Sequence, residues 1–151
     1  MTPGNHILVV EDSDEDFATV LDAARHAGVT HEVRRANSGD ECLRILRNAS
    51  SPAASQPAMV LLDLNTPQGD GRDALREIRL HEHLCAMPLV VLSTSSNPRD
   101  LEFCLASGAN AYHVKPVVHA EHLQVLETIF AYWLTQAVLP PRMCRTSSLP
   151  P

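Results

Sequence analysis

The sequence predicts an α/β fold, a parallel sheet with helices on both faces. Short runs rich in Val, Ile and Leu without alternation, at 6–10, 59–62 and 89–92, read as strands buried on both sides, and 111–114 reads as a further short strand. Segments with helical apolar spacing separate them, and glycine or proline punctuates several of the joins. Five strands thus alternate with five helices.

The first strand, 6–10, leads into a helix over about 14–27 with Phe17, Val20, Leu21 and Ala24 on its core face and Gly28 as its C-cap glycine. Residues 31–36 alternate polar and apolar, which predicts an edge strand. A helix over 39–47 then packs through Cys42, Leu43 and Leu46, and 48–57 is a loop. The third strand, 59–62, runs through Asp63 to a turn rich in Pro67, Gly69 and Gly71, then a helix carrying Leu75 and Ile78. Pro88 opens the fourth strand, 89–92, which ends at Ser93; a short helix over about 99–106 is stopped by Gly108. The fifth strand, 111–114, ends at Lys115, and the longest helix follows over about 120–136. Residues 139–151 hold four of the chain's eleven prolines and no periodicity. The expected organisation is one domain over 1–138 and a flexible tail over 139–151.

A chain of 151 residues with 44% hydrophobic content suits one domain with a sizeable core. The net charge of −6 is local: five of the 18 acids lie between Glu11 and Asp16, and without them 13 acids face 12 bases. That field suits a divalent cation, and with no basic stripe it argues against nucleic acid. Cys42, Cys85, Cys104 and Cys144 form no C-x-x-C pair, as expected of reduced thiols. No apolar stretch approaches a membrane span and no signal pattern opens the chain, so the expectation is a soluble cytoplasmic protein without membrane contact.

In open sheets of this kind ligands bind beyond the carboxyl ends of the strands. There this chain places Glu11, Asp12, Asp63, Ser93 and Lys115. Mg²⁺ takes one or two carboxylates and keeps several waters. Glu11, Asp12 and Asp63, with the Asn65 backbone carbonyl, would supply that shell. Three carboxylates in contact repel one another without a cation, so the site predicts its metal. An aspartate can attack phosphorus to give an acyl phosphate, and phosphoryl transfer needs chiefly positioning and charge neutralisation. Lys115 and the Ser93 hydroxyl are the expected partners of the phosphoryl oxygens.

Other readings of these residues compete. Asp12, Asp14 and Asp16 imitate the start of a calcium loop, but Phe17 and Ala23 stand where its glycine and last glutamate belong. A dinucleotide cradle needs glycines after the first strand, where this chain has carboxylates. A haloacid dehalogenase-type phosphatase acting on small phosphorylated substrates wants a second aspartate two residues after the nucleophile, and Asn65 stands there. It remains the alternative. An acidic run alone is more often a solvated helix start. Complementary groups at four strand ends together outweigh that reading.

On Glu11, Asp12, Asp63, Ser93, Tyr112 and Lys115-Pro116 the chain resembles, from about residue 6 to 136, the receiver domain of bacterial two-component response regulators. The resemblance implies a flavodoxin-like, doubly wound (βα)5 fold with a five-stranded parallel sheet in the order 2-1-3-4-5. It further implies that Glu11 and Asp12 are the metal-binding acids, Asp63 the phosphoacceptor and Asn65 a carbonyl ligand to Mg²⁺. Ser93 and Tyr112 become the switch residues, and Lys115 the phosphate-binding lysine with a cis bond to Pro116. The donor it implies is a phosphohistidine on a sensor histidine kinase. It also implies slow self-dephosphorylation and a two-state face on the fourth helix, fifth strand and fifth helix. With no output domain expected after the receiver, regulation would act through a partner, a dimer or onward transfer.

The long loop before the third strand and Tyr132-Trp133-Leu134 followed by Leu139-Pro140 resemble, more narrowly, the small response regulators paired with bacterial and cyanobacterial phytochromes. Phe130, Tyr132 and Trp133, three of only six aromatics, fall in one helical turn and point in too many directions for a single core stripe. A homodimer through the last helix is the expectation. His81 and His83, or His119 and His122, have metal-like spacing without supporting ligands, and are expected at solvent-facing helix ends. Thr94 and Ser95, beside the site, are expected to tune water access and phosphoryl lifetime.

Overall fold

The structure is a computed structural model and describes residues 6–48, 56–64, 70–81 and 86–138, without the side chains of residues 64, 70 and 71. Five strands, β1 (His6–Val10), β2 (Glu32–Ala36), β3 (Met59–Leu64), β4 (Leu89–Ser93) and β5 (Ala111–Val114), form one sheet in the order β2-β1-β3-β4-β5. Every pairing is parallel. The helices are α1 (Asp14–His26), α2 (Gly39–Asn48), α3 (Asp70–Leu80), α4 (Pro98–Ala106) and α5 (His119–Ala131), the last continued by a π-helical turn, Tyr132–Gln136.

Side chains of successive strand residues point to opposite faces. Ile7 and Val9 join Met59, Leu61, Val90 and Leu92 under α1 and α5, where Val20, Ala23, Leu126, Ile129 and Phe130 close the layer. Leu8 and Val10 join Val60, Leu62, Leu89 and Val91 on the other face with Leu43 and Leu46 of α2, Leu75 and Ile78 of α3 and Cys104 of α4. Two apolar layers explain why the central strands show no alternation. β2, at the edge, does alternate: Glu32 and Arg34 face outward.

The structure moves several sequence boundaries. β3 continues past residue 62 to Leu64, placing Asp63 inside the strand, paired in register with Leu92. Asn97 caps α4, its side chain accepting from the Arg99 N–H, so Pro98 rather than Arg99 opens the helix. Leu21, expected on the core face of α1, is exposed, while Thr19 and Ala23 are buried instead. Gly28 lies one residue past the C-cap Ala27 with φ 72°, and donates to the Arg25 carbonyl while Val29 donates to that of Ala24. The expected tail over 139–151, the turn holding Pro67 and Gly69, and Cys85, Cys144 and His83 lie outside the described residues.

Candidate functional site

β1 and β3 are neighbours, and the chain leaves them toward opposite faces, so a crevice opens at their carboxyl ends. Glu11 follows β1, Asp63 stands near the end of β3, Ser93 ends β4 and Lys115 follows β5. Sequence placed these four at strand ends, and the structure brings three of them into contact. Lys115 Nζ lies 2.6 Å from Asp63 Oδ1, 2.8 Å from Asp16 Oδ2 and 3.4 Å from Glu11 Oε2. The side chains of Asp63 and Glu11 are fully buried, that of Lys115 almost so.

The positive charge among these carboxylates is therefore built into the chain. Lys115 offsets repulsion that the sequence assigned to a metal alone. Burial, and then the neighbouring Glu11 carboxyl, raise the Asp63 pKa well above the usual carboxylate range; Lys115 opposes this without cancelling it. Burial pulls the Lys115 pKa down, but Asp63, Asp16 and Glu11 together outweigh it and the net shift is upward.

Local structure fixes each member. Glu11 donates its N–H to the Ala36 carbonyl, extending the β1–β2 ladder, and its Oε1 accepts from the Ser13 N–H at 2.9 Å. Ser13 caps α1, its hydroxyl accepting from the Asp16 N–H at 3.2 Å, which sets Asp16 in the first turn and aims its carboxylate at Lys115. Arg35 donates through Nε to the Glu11 carbonyl at 2.8 Å and through Nη1 to Asp14 at 2.7 Å, while its guanidinium stacks over Phe17. Lys115 donates its N–H to the Ser93 carbonyl.

The acidic run separates by role. Glu11 is buried, Asp16 holds the lysine, and Asp14 and Glu15 are exposed at the helix N-terminus, where the dipole favours negative charge. Asp12 is exposed on the same loop. The Ser93 hydroxyl accepts from the Ser95 N–H, and the Ser95 hydroxyl pairs with Asp100. Tyr112 lies inward, packed on the core layer of α2, α3 and α4, and its hydroxyl donates to the Ser95 carbonyl at 2.7 Å. Ser93, Ser95 and Tyr112 are thereby tied into one network.

Neither carboxylate oxygen of Asp63 accepts a hydrogen bond from any described residue, although both are buried. Asp63 Oδ1, which faces Lys115 without hydrogen-bond alignment, and Asp63 Oδ2, with no described donor, lie beside a second buried carboxyl group and fit the donor set of a hard divalent cation. Glu11 and Asp63, with exposed Asp12, are the described groups that would hold it; Asn65 lies outside the described residues. Among the described residues no three Asp, Glu, His or Cys side chains are already gathered as a coordination set.

Three sequence expectations need correction. The Lys115–Pro116 bond is trans rather than cis, the isomer a tertiary amide favours by about 0.5–1 kcal/mol. His122 is buried, unlike exposed His119: it sits one turn into α5 on the face turned to the core, and its Nε2 has no hydrogen-bond partner among the described residues. Burial, then the charge of Lys115, lowers its pKa. Phe130 is fully buried against its own sheet, so it is unavailable to a partner chain. Tyr132 stays exposed and meets Trp133 edge to face at 5.3 Å, while Trp133 leans on the core layer of α1 and α5.

Asp16 and Arg35 were missed as site residues. The cap pattern Ser13-x-x-Asp16 and the inward parity of Arg35 with Val33 on the alternating edge strand are signals that point to them.

A doubly wound parallel sheet with an acid pair, an aspartate and a lysine at its carboxyl edge defines a receiver-type signalling domain. The chain belongs to the response regulator receiver domain family, whose pattern it matches over residues 7–127. It is 35% identical over 128 residues to the probable methanogenesis regulatory protein FilR2 of Methanothrix harundinacea, covering 85% of this chain and 83% of that one. It is 32% identical over 139 residues to response regulator Rcp1 of Synechocystis sp., covering 91% and 95%. The crystal structure of Mn²⁺-bound Rcp1 superimposes with a TM-score of 0.80 over 91% of this chain and 99% of that one. The phosphorylated cyanobacterial phytochrome response regulator RcpA is 36% identical, with a TM-score of 0.81 over 91% of this chain and 99% of that one. The phosphatase alternative gains no support from these relatives. No helix among the described residues is long and apolar enough to cross a membrane.

Proposed function

We propose that this protein accepts a phosphoryl group on Asp63 from the phosphohistidine of a sensor histidine kinase, in a Mg²⁺-dependent reaction. The observation that carries the reading is the buried Asp63 carboxyl group, its oxygens accepting no hydrogen bond from any described residue, 2.6 Å from the ammonium of Lys115. An Asp63 oxygen attacks phosphorus, the P–N bond of the donor breaks, and the imidazole leaves with its electron pair. Lys115 pairs with one phosphoryl oxygen, and the Ser93 hydroxyl, which now accepts from the Ser95 N–H, rotates away from it toward the site and donates to another. A divalent ion on Glu11, Asp12 and Asp63 would supply charge neutralisation for the transferring group. Breaking the Ser93–Ser95 contact loosens the loop that carries the Tyr112 bond, which supports a switch read out on α4, β5 and α5.

Similarity to Rcp1 and RcpA favours a phytochrome-type kinase as donor. Exposed Tyr132 favours a homodimer through the C-terminal end of α5, with Trp133 behind it and Phe130 left in the core. Sedimentation finding a monomer at micromolar concentration, with or without phosphorylation, rejects the dimer. We place the protein in the cytoplasm and expect slow self-dephosphorylation. Incubation with acetyl phosphate and Mg²⁺ should add one phosphoryl mass to the intact chain, and Asp63→Asn should abolish the gain. Multiple-turnover phosphate release from small phosphorylated substrates would instead favour the phosphatase reading.

A further inference from the structure

Among the described residues the ammonium of Lys115 faces three carboxyl groups, and it engages them unevenly. Its contact with Asp63 is the shortest, 2.6 Å, yet Asp63 accepts no hydrogen bond from it. The bonds with hydrogen-bond alignment go to Asp16 at 2.8 Å and to Glu11 at 3.4 Å. Glu11 already receives the Ser13 N–H on its other oxygen. Asp16 is the one carboxylate of the three that reaches solvent, with a side chain 27% exposed, and its backbone is pinned by the Ser13 cap. It is thus a fixed anion on the open side of the site, directly bonded to the cation that a phosphoryl group needs.

We infer that Asp16 is a positioning residue that competes with the phosphoryl group for Lys115, and so sets how tightly Asp63 holds a phosphoryl group or its mimic. This rests on the reading of Asp63 as phosphoacceptor. Two effects act in one direction. Asp16 holds the ammonium by a charge-assisted bond that must be shared when an anion arrives. Its carboxylate, bonded to the same ammonium, repels that anion. Asp16→Asn keeps the size and an acceptor oxygen but removes the charge. Asp16→Glu restores the charge one methylene further out.

The test titrates beryllofluoride into the full chain at saturating Mg²⁺ and follows the bound form by fluorine NMR. Half-saturation in Asp16→Asn should fall by roughly three- to tenfold, the order expected for removing one nearby, partly screened charge. Asp16→Glu should return it toward the unsubstituted value. A role confined to holding the fold would leave binding unchanged or weaken it, so either result in Asp16→Asn overturns the inference. So does an Asp16→Glu protein that behaves like Asp16→Asn, because charge would then not be the cause. If the unsubstituted chain takes up no beryllofluoride at all, the reading of Asp63 itself fails, and the inference with it.

Discussion

Two glycines terminate helices here through the same backbone device, yet a side chain at each would meet different surroundings. Gly28 has φ 72° and no atom of the described residues lies within 4 Å of where a Cβ would stand, whereas Gly108 has φ 110° and its Cβ would stand 2.4 Å from Arg79 Cγ. Gly28→Ala carries only the backbone cost of a left-handed L-residue, about 1 kcal/mol. Gly108→Ala adds displacement of Arg79, which donates to the Gly108 carbonyl at 2.8 Å, so its expected loss is about 2–4 kcal/mol. Urea unfolding of the two variants checks the order, and equal losses would show that Arg79 gives way freely. Single residues also decide reactivity: burial pushes the Cys42 thiol up to about 12, leaving it a small packing group in the layer of α2 and α3.

Between elements, Arg79 has a reach that no periodicity announces. From the end of α3 its guanidinium donates to the Met87 carbonyl at 2.6 Å, the Gly108 carbonyl and Asn110 Oδ1 at 2.8 Å, and that same Asn110 oxygen accepts the Leu89 N–H. One side chain thus joins α3 to the start of β4 and to the turn between α4 and β5. Arg79→Ala should cost about 2–3 kcal/mol in denaturant unfolding, because several carbonyls lose a charged donor. Arg79→Lys should recover little of it, since an ammonium lacks the planar fork that spans three acceptors. What sequence could and could not reveal divides along this line. The central strands were legible because both faces of each are apolar, and Asp63 and Ser93 because each stands at or near the end of such a strand, while Lys115 follows the short edge strand β5. Glu11 was legible because it follows β1. The partners those groups choose were not: Asp16 bonding Lys115, Arg35 bonding the Glu11 carbonyl and His122 turning inward depend on how α1, β2 and α5 are rotated against the sheet. Spacing constrains such rotation only within a turn. The end of the last helix misled for a related reason. Phe130, in α5, and Tyr132 and Trp133, in the π-helical turn that continues it, lie on different sides of the helix and take three environments: core, solvent and an intermediate position.

For the whole molecule, the cost of keeping Asp63 buried makes stability depend on pH and on metal. Its folded-state pKa is raised above the ordinary 3.8, so above about pH 4 the native state holds a proton that the unfolded chain releases. Stability from this group is therefore greatest in acid and declines as pH rises toward the raised value. His113 and His122 act with the opposite sign. Burial lowers both below 6.5, so their contribution is complete above that pH and is lost as pH falls beneath it. Asp63→Asn deletes the first effect and leaves the second. It does not strand Lys115, which keeps Asp16 and Glu11. In EDTA at pH 7.5 the variant should be more stable than the unsubstituted protein, on the order of 2 kcal/mol. Its advantage should shrink steadily as the pH is lowered toward 5. Mg²⁺ should narrow the gap at pH 7.5 from the other side, since an ion that binds the folded site at a hundred times its Kd stabilises by about 2.7 kcal/mol. Thermal unfolding of both proteins at several pH values, with and without Mg²⁺, reads all three trends. An Asp63→Asn protein less stable than its parent in EDTA at pH 7.5 would mean that Asp63 is a net stabilising partner of Lys115 rather than a strained acceptor site, and that Mg²⁺ relieves no repulsion there.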